Sequence, residues 1–391
     1  MALSNGKKVG ICGATGAVGI EIISVLDARK FPVQEIVLFA SSRSAGNKVL
    51  TPFGEVTISL FSVEKAAKLD YVFLAVSGDF SLQYAKELSV IPNGPVVIDN
   101  SSAFRRDPKI PLVIPEINGH VLIPKNGKPQ PKLIANPNCT TGIAAMALWP
   151  LHCEFGIKKL IVSTYQAASG AGAAGMQELS DGAKSFLANE PVTYKVFSYP
   201  LPFNLIPHID KFQENGYTKE EMKVTWETRK IFDEPNLAVS CTAARVPIMR
   251  AHSEALTIET VKPVNIAVAR ELLAMADGVD LVDVPEELLY PMPKNATKKF
   301  NIEAGRLRKS LVFGDHGLEL FVSGDQLLRG AALNAVLIAE FLENPRTTPQ
   351  FTKKRTMRTL SKNQQQTVLG LVAGIAVGVA SALAFGLYKK K

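Results

Sequence analysis

The chain opens with Lys8-Val9-Gly10-Ile11-Cys12-Gly13-Ala14-Thr15-Gly16-Ala17-Val18-Gly19, a short apolar run that leads into a glycine-rich segment. Residues 20–26 have apolar positions at helical spacing, and residues 35–40 form a second apolar run. A strand, a glycine loop, a helix and a second strand make the opening unit of a doubly wound sheet. The sequence therefore predicts an α/β fold that begins with a Rossmann-like domain.

The glycine loop predicts a binding site for a dinucleotide. Glycines in this pattern allow a tight turn, the close approach of a pyrophosphate to backbone N–H groups, and close packing of helix on strand. Many glycine-rich turns bind nothing, but this one lies between a predicted strand and a predicted helix. The predicted cofactor-binding residues of the loop are Gly13, Thr15, Gly16, Ala17, Val18 and Gly19.

The end of the second predicted strand distinguishes NADP from NAD. NAD sites usually carry Asp or Glu there, which binds the ribose hydroxyls. Here the strand is followed by Ser41-Ser42-Arg43-Ser44-Ala45-Gly46, which contains no carboxylate. Arg43 and the hydroxyls of Ser41, Ser42 and Ser44 can donate to a 2′-phosphate, so we predict NADP as the cofactor. The alternative is that Arg43 is a solvated loop residue.

The rest of the chain shows two patterns. Apolar runs at 71–76 and 96–99, with a helical stretch at 81–88 between them, continue a parallel sheet. Three longer strands then follow among proline-rich loops, at 159–165, 238–246 and 252–260. They predict a second, α+β domain with a mostly antiparallel or mixed sheet.

An amphipathic helix at 327–342 is expected to return to the first domain. The predicted domain limits are therefore 1–138 for the NADP-binding domain, completed by 327–343, and 139–326 for the second domain.

The C-terminal tail carries the basic charge of the chain. No acidic residue follows Glu343, whereas nine lysines and arginines do, which leaves about −1 of the total +8 for the body. A near-neutral body excludes nucleic acid as its partner. Residues 344–367 read as a basic linker, and 368–388 as a transmembrane anchor that holds the body on the cytosolic side of a membrane. The alternative for 368–388 is a buried core helix.

A second motif, Ala135-Asn136-Pro137-Asn138-Cys139-Thr140-Thr141-Gly142, places a cysteine before a helical run at 143–151. The positive end of a helix stabilises a thiolate and lowers its pKa, and its N–H groups can hold an oxyanion. A lone cysteine is more often a small buried hydrophobe. Cys139 is thus a candidate nucleophile, while the wide spacing of all four cysteines predicts neither disulfides nor a metal site.

Together these motifs resemble a known family. The glycine loop, Ser41–Gly46, Val97-Ile98-Asp99-Asn100-Ser101-Ser102-Ala103-Phe104-Arg105, Pro137-Asn138-Cys139 and Ser163-Thr164-Tyr165-Gln166-Ala167-Ala168-Ser169-Gly170-Ala171-Gly172 occur in this order. From about residue 7 to 342 the chain resembles aspartate-β-semialdehyde dehydrogenase of the bacterial type. The resemblance implies reversible, NADP-dependent reductive dephosphorylation of L-aspartyl 4-phosphate to L-aspartate 4-semialdehyde, in the biosynthesis of lysine, threonine and methionine. It also implies that the second domain is the catalytic and dimerisation domain of a homodimer or homotetramer.

The resemblance assigns catalytic roles to four residues. Cys139, preceded by Asn138, is the nucleophile that forms a thioester. Gln166 orients the substrate, and His252 is the acid/base. An imidazole has the pKa that such proton transfer needs near neutrality.

The resemblance also assigns the binding groups. Arg245 grips the substrate carboxylate, Glu220 meets its amino group, and Arg105 with Lys223 binds the phosphate. A guanidinium suits a carboxylate because it forms two parallel hydrogen bonds. Asn334 is expected near the nicotinamide, and Ser169 and Gly170 are further predicted cofactor-binding residues.

Two other functions stay open. One is a related reductase on the same scaffold, such as N-acetyl-glutamyl-phosphate reductase or malonyl-CoA reductase. The other is a membrane-tethered scaffold with a retired active site, against which the retention of Cys139, Gln166, Arg245 and His252 argues.

Overall fold

A computed structural model describes residues 6–124 and 129–345. Its N-terminal elements are β1 (Lys7–Cys12), α1 (Ala17–Ala28), β2 (Val33–Ala40), β3 (Lys48–Thr51), β4 (Gly54–Thr57), β5 (Ser59–Leu60), α2 (Val63–Ala66), β6 (Tyr71–Leu74), α3 (Gly78–Val90), β7 (Val96–Asp99), α4 (Pro115–Asn118) and β8 (Leu133–Ala135). Six of the strands form one sheet in the order β5-β2-β1-β6-β7-β8. All five neighbouring pairs in it are parallel. This is the predicted Rossmann-like sheet; β3 and β4 form a separate hairpin.

The centre of this sheet is apolar on both faces. Ile11 and Phe73 are fully buried on one face and Val72 and Val97 on the other, as strands covered on both sides require. The helix α1 packs on one face, together with the last helix of the described chain.

The elements of the second part follow β8. They are α5 (Cys139–Phe155), β9 (Ile157–Gln166), α6 (Gly172–Leu187), α7 (Lys219–Phe232), β10 (Ala238–Arg245), β11 (His252–Thr260), α8 (Ile266–Ala274), β12 (Val279–Leu281), α9 (Pro293–Ala296), β13 (Ile302–Lys309), β14 (Gly317–Gly324) and α10 (Leu333–Glu343). Short 3₁₀ turns lie at Gly119–Leu122, Ala168–Ala171, Pro285–Glu287 and Gly314–His316.

The second sheet has the order β10-β9-β11-β14-β13-β12. The pairs β10–β9 and β12–β13 are parallel, and the other pairs are antiparallel, so the predicted mixed sheet is confirmed. The buried side chains of β11, such as Leu256 and Ile258, belong to the sheet face against which α5 packs. Because α5 is buried on nearly every side, its first residue is held firmly.

The predicted helix at 327–342 begins with a π-helical turn, Leu328–Ala332, before α10. The Asp325 carboxylate accepts from the N–H groups of Leu327 and Leu328 and so fixes the start of the turn. Single π turns inside helices often occur at functional sites. Here α10 packs with α1 and β1 in one core, although the limits 1–138, 139–326 and 327–343 stay a prediction.

The prediction of a membrane anchor needs correction. The segment 368–388 and almost all of the basic linker lie outside the described residues. Among the helices of 6–124 and 129–345, none has the length and apolarity to cross a bilayer. On this finding the predicted membrane location, membrane partner and cytosol-facing orientation were wrong. The prediction gave too much weight to the lack of charged residues in 368–388. Ten of these 21 residues are Gly, Ala or Ser, which carry little apolar surface.

Candidate active site

A cavity of about 420 Å³ lies at the carboxyl edge of the parallel sheet, where β6, β7 and β8 end. Ligands of doubly wound folds bind at this edge. Both parts of the chain contribute to its wall. The predicted site residues that line it are Gly16, Ala17, Val18, Arg105, Asn138, Cys139, Gln166, Ser169, Gly170, Glu220, Lys223 and Arg245.

The other predicted residues do not line this cavity. Two glycines serve the turn itself: Gly13 has a φ of +81°, and a Cβ at Gly19 would lie 2.2 Å from the Gly13 carbonyl oxygen. Thr15, Ser41, Ser42 and Arg43 are exposed, and Ser44 is half-buried. His252 and Asn334 are buried behind the wall.

Cys139 is the first residue of α5, as predicted. The side chain of Asn138 caps the helix, because its Oδ1 accepts from the N–H groups of Thr140 and Thr141 at 3.0 and 3.3 Å. The Asn138 side chain does not accept from the N–H of Cys139, which is also in the first turn of the helix. A Cβ at Gly330, in the π turn, would lie 2.6 Å from the Cys139 Cβ, so only glycine lets the turn pass this close to Cys139.

The pKa of the Cys139 thiol is raised, not lowered as predicted. Burial raises its pKa to about 12, and the Glu220 carboxylate adds to this, whereas Arg105, Lys223 and Arg245 oppose it. A rise from 9.0 to about 12 lowers the thiolate population about a thousandfold. A helix N-terminus contributes about 0.3–2 kcal/mol, a factor of about 30 at most. Burial therefore dominates, and the free site holds a thiol.

Glu220 connects the residue before Cys139 to two other predicted site residues. Its carboxylate accepts from Asn138 Nδ2 at 3.0 Å, Gln166 Nε2 at 3.4 Å and Lys223 Nζ at 2.9 Å. These donors hold the pKa of Glu220 below its usual value against the effect of its burial. Lys223 is shared with Asp210 at 2.9 Å. The structure thus brings Glu220 and Lys223 together beside Cys139.

Arg105 is held by a residue that the sequence did not single out. Its Nη1 donates to Glu227 Oε1 at 3.1 Å, while Glu227 Oε2 accepts from the N–H of Asn138 at 2.6 Å. Both side chains are buried. Glu227 therefore fixes a cation of the site relative to the residue before Cys139. The spacing of Glu220, Lys223 and Glu227, which places them on one face of α7, could have pointed to Glu227. Charged residues at this spacing usually form a solvated helix face.

Arg245 and His252 lie together beside Gly170. The Nη1 of Arg245 donates to the Ala167 carbonyl at 2.6 Å, and the Phe197 ring lies 5.6 Å from its guanidinium carbon. A Cβ at Gly170 would lie 2.7 Å from Arg245 Nη1 and 3.3 Å from His252 Nε2. Any side chain at position 170 would therefore collide with Arg245 and crowd His252.

Asn334 supports the site from behind. Its Nδ2 donates to the Val113 carbonyl at 2.8 Å and to Asn136 Oδ1 at 2.6 Å. The Asn136 carbonyl in turn accepts from Arg105 Nε at 2.8 Å. In the free protein Asn334 therefore positions Arg105, and its expected place near the nicotinamide stays a prediction.

The residues present fit a dinucleotide. The N-terminus of α1 reaches the cavity through Gly16, Ala17 and Val18, so its N–H groups can meet a pyrophosphate beside Cys139. A side chain at Gly13 would lie 2.2 Å from the Ala75 carbonyl oxygen, which keeps the turn narrow. The described residues contain no cluster of His, Cys, Asp and Glu that could hold a metal ion.

Known family models and relatives match most of this chain. Residues 8–123 match the family described as semialdehyde dehydrogenase, NAD binding domain, and 148–329 match semialdehyde dehydrogenase, dimerisation domain. Aspartate-semialdehyde dehydrogenase of Aquifex aeolicus is 44% identical over 342 residues, which cover 86% of this chain and 98% of that protein. The Bacillus subtilis enzyme of that name is 41% identical over 349 residues, or 87% of this chain and 99% of that protein.

A solved structure extends the comparison to the fold. Aspartate semialdehyde dehydrogenase II of Vibrio cholerae, complexed with ASA, superposes with a TM-score of 0.82 at 38% identity, and the match covers 87% of this chain and 99% of that one. Family domains, relatives and fold agree over the same part of the chain. The chain therefore belongs to the aspartate-semialdehyde dehydrogenase family, whose members carry a nicotinamide-binding domain and a dimerisation domain.

Proposed function

We propose that this chain catalyses the reversible, NADP-dependent reductive dephosphorylation of L-aspartyl 4-phosphate to L-aspartate 4-semialdehyde. One observation carries the proposal: Cys139 shares a single cavity with two cations suited to phosphate and a third suited to a carboxylate. An aldehyde dehydrogenase that uses water as its acyl acceptor has no need for the two phosphate-binding cations. The reaction belongs to the biosynthesis of lysine, threonine and methionine.

The reaction passes through a covalent thioester. The sulfur of Cys139 attacks the acyl carbon of the substrate, and the bond from that carbon to the phosphate oxygen breaks. The nicotinamide cofactor, when bound, supplies the hydride that reduces the thioester. Arg105 and Lys223 hold the phosphate, while Gln166 orients the acyl group beside the sulfur.

Arg245 and Glu220 hold the other end of the substrate. The guanidinium of Arg245 takes the α-carboxylate through parallel hydrogen bonds, and the carboxylate of Glu220 meets the amino group. Binding both ends of the substrate fixes the distance from the acyl carbon to the Cys139 sulfur. This proximity of the reacting atoms raises the rate.

The loop after β2 favours NADP. Arg43 is exposed there, and the segment 41–46 has no carboxylate to repel a 2′-phosphate. Replacement of Arg43 by glutamate should lower kcat/KM for NADP about 10²-fold, since a charge-assisted contact is lost and a repulsion is added. Steady-state rates with NADP and NAD measure the change. Arg43→Lys keeps the charge and should lose less; an NADP preference unchanged in Arg43→Glu would contradict this assignment.

Glu227 should matter for phosphate. Its replacement by glutamine leaves the buried Arg105 without its counter-charge, so kcat/KM for phosphate should fall about 10²-fold and the melting temperature should drop. Initial rates at varied phosphate and a thermal melt measure both effects. Glu319→Gln, which breaks a half-exposed pair with Arg308, should change the rate less than about twofold. Equal effects of the two variants would contradict the proposed role of Glu227 in holding Arg105 for phosphate.

We propose a homodimer, or a pair of dimers, built through the second part of the chain. The match of 148–329 to a dimerisation domain supports an oligomer. The face of the second sheet opposite α5 fits this proposal, since Ile161 on β9 is 46% exposed there. Analytical ultracentrifugation of the full chain measures the state.

One assay tests the reaction. The full chain is supplied with L-aspartate 4-semialdehyde, NADP and inorganic phosphate, and NADPH formation is followed. The proposal expects turnover that disappears without phosphate. Activity only with N-acetylglutamate semialdehyde, or only with malonyl-CoA and NADPH, would favour a related reductase. A folded chain without any of these activities would favour a retired active site.

A further inference from the structure

A second cavity, of about 310 Å³, shares no lining residue with the one beside Cys139. The residue that ends α1, the helix α4, the turn before β12 and the helix α10 with its π turn contribute to its wall. Its volume falls in the range of small-molecule sites, about 300–1,000 Å³. None of the residues assigned to the proposed reaction is among its lining residues. The cavity is therefore free for another ligand.

The charged groups of this wall have both signs. Arg29 and Glu340 form a complete fork, since Nε donates to Oε1 at 2.5 Å and Nη2 donates to Oε2 at 2.7 Å. Arg329 and Glu116 instead meet through one hydrogen bond, from Nη1 to Oε1 at 2.8 Å. Asp277 adds a further carboxylate to the lining, so the wall is unfavourable for an anion.

The pair of Arg329 and Glu116 leaves one donor and one acceptor unused. Arg329 is 3% exposed, and among the described residues its Nε has no acceptor and Glu116 Oε2 has no donor. Buried polar atoms without partners are rare, and each of them costs free energy. Gly278 makes room for this arginine, because a Cβ there would lie 2.8 Å from Arg329 Nη2. The Glu116 side chain is still 19% exposed, so this pair is within reach of a ligand that brings an acceptor and a donor.

The rest of the wall is mostly apolar. Its apolar lining residues are Pro115, Phe300, Leu333, Leu337 and Phe341. Phe300 and Leu337 are only half-buried, so an occupant with an apolar body would remove more of their surface from water. The wall therefore fits a ligand that joins a head of two opposite charges to an apolar body.

We propose that this cavity binds an α-amino acid with an apolar side chain, and that its occupation slows the reaction at Cys139, a regulation that rests on the proposed function. The carboxylate of the ligand accepts from Arg329, and its ammonium group donates to Glu116. The side chain of the ligand packs on Phe300 and Leu337. A ligand with a single charge would leave one member of the pair without its partner, whereas a zwitterion serves both.

The π turn Leu328–Ala332 links the two cavities. Arg329 lines the second cavity, whereas Gly330 and Ala331 line the first. The turn packs closely on Cys139, since a Cβ at Gly330 would lie 2.8 Å from the Cys139 Cα. A ligand that pulls on Arg329 therefore moves the backbone beside Cys139. Because a misplacement of about 1 Å can cost about 10²-fold in rate, occupation should lower kcat.

Calorimetry tests the binding without any turnover. The full chain is titrated with L-leucine and L-phenylalanine, with 3-methylbutylamine, which lacks the carboxylate of leucine, and with 4-methylpentanoate, which lacks its amino group. We expect a Kd of about 0.1–1 mM for at least one amino acid, as ligands of this size allow, and at least about tenfold weaker binding of the amine and the acid. No binding of either amino acid at about 10 mM, or equal binding of the amine or the acid, would overturn the proposal.

Variants locate the ligand, which is necessary because Arg245 and Glu220 are also proposed to hold the two ends of an amino acid. Leu337→Trp fills the second cavity without a change of charge and should weaken binding at least about tenfold, and Glu116→Gln should do the same. Leu337→Met, of similar volume, should bind as the wild type does. So should Arg245→Ala. Binding that is lost in Arg245→Ala and retained in Leu337→Trp would place the ligand in the other cavity and overturn the proposal.

Initial rates test the coupling between the cavities. A saturating amino acid should lower kcat for oxidation of the semialdehyde at least about fivefold, a usual size for coupled sites, and should have no effect on Leu337→Trp. An unchanged kcat, or a rise in KM alone, would contradict the coupling. Binding that follows the pattern of the variants in a chain without semialdehyde turnover would remove the proposed reaction and leave the binding site standing.

Discussion

Replacement of Cys139 by alanine should lower kcat by about 10⁴- to 10⁶-fold, the largest loss expected for any single change in this chain. In the proposed mechanism the sulfur becomes bonded to the acyl group, and no other described thiol lines the cavity. The variant should bind NADP and phosphate normally, since Arg105, Lys223 and the glycine loop are unchanged. Rates of NADPH formation at saturating substrate, with fluorescence titration of NADPH, measure both properties.

Cys153 provides the matched control. It lies on the same helix, is half-buried, and is remote in sequence from the helix start. Cys153→Ser should retain activity within about twofold, as a substitution distant from the chemistry does. If Cys153→Ser lost activity and Cys139→Ala retained it, the nucleophile would be Cys153, and the assignment of Cys139 would be wrong.

Replacement of Arg245 by alanine should lower kcat/KM for the semialdehyde about 10³-fold, mostly through KM. The carboxylate of the substrate would enter a buried site without its partner, and such losses are about 2–5 kcal/mol. Burial and the Phe197 ring hold the guanidinium plane in one orientation, so the geometry of the pair is specific. Initial rates at varied semialdehyde concentration separate KM from kcat.

Arg245→Lys keeps the positive charge and removes the fork of donors. We expect it to recover only about tenfold of the loss, because a lysine ammonium cannot make two parallel hydrogen bonds. Arg308→Ala, at a half-exposed ion pair, should leave both constants unchanged. A full recovery by lysine would show that charge alone matters, and an unchanged KM in Arg245→Ala would place the carboxylate elsewhere.

The sequence was sufficient for the elements with a simple period and a local signal. The glycine loop identified β1 and α1, and the apolar runs located β7 and β11 within a residue or two. Cys139 was placed at a helix start because Pro137 and Asn138 precede it, and Asn138 proved to be the cap. Local chemistry decided each of these features.

The sequence was insufficient to predict the features that depend on packing between distant parts of the chain. The helix α7 was not foreseen because its face with Glu220, Lys223 and Glu227 is polar, yet that face is buried against the site. Gly330 looked like part of an ordinary amphipathic helix, although its contact with Cys139 requires a glycine. The direction of the Cys139 pKa depended on burial, which no local pattern reports.

The most direct test is to trap the acyl-enzyme. The full chain is mixed with L-aspartate 4-semialdehyde and NADP in the absence of phosphate, and NADPH formation and the mass of the Cys139 peptide are measured together. The thioester mechanism predicts a burst of about one NADPH per site and an acyl adduct on Cys139, both released on addition of phosphate. Steady NADPH formation without phosphate and without an adduct, or an adduct on another residue, would contradict it.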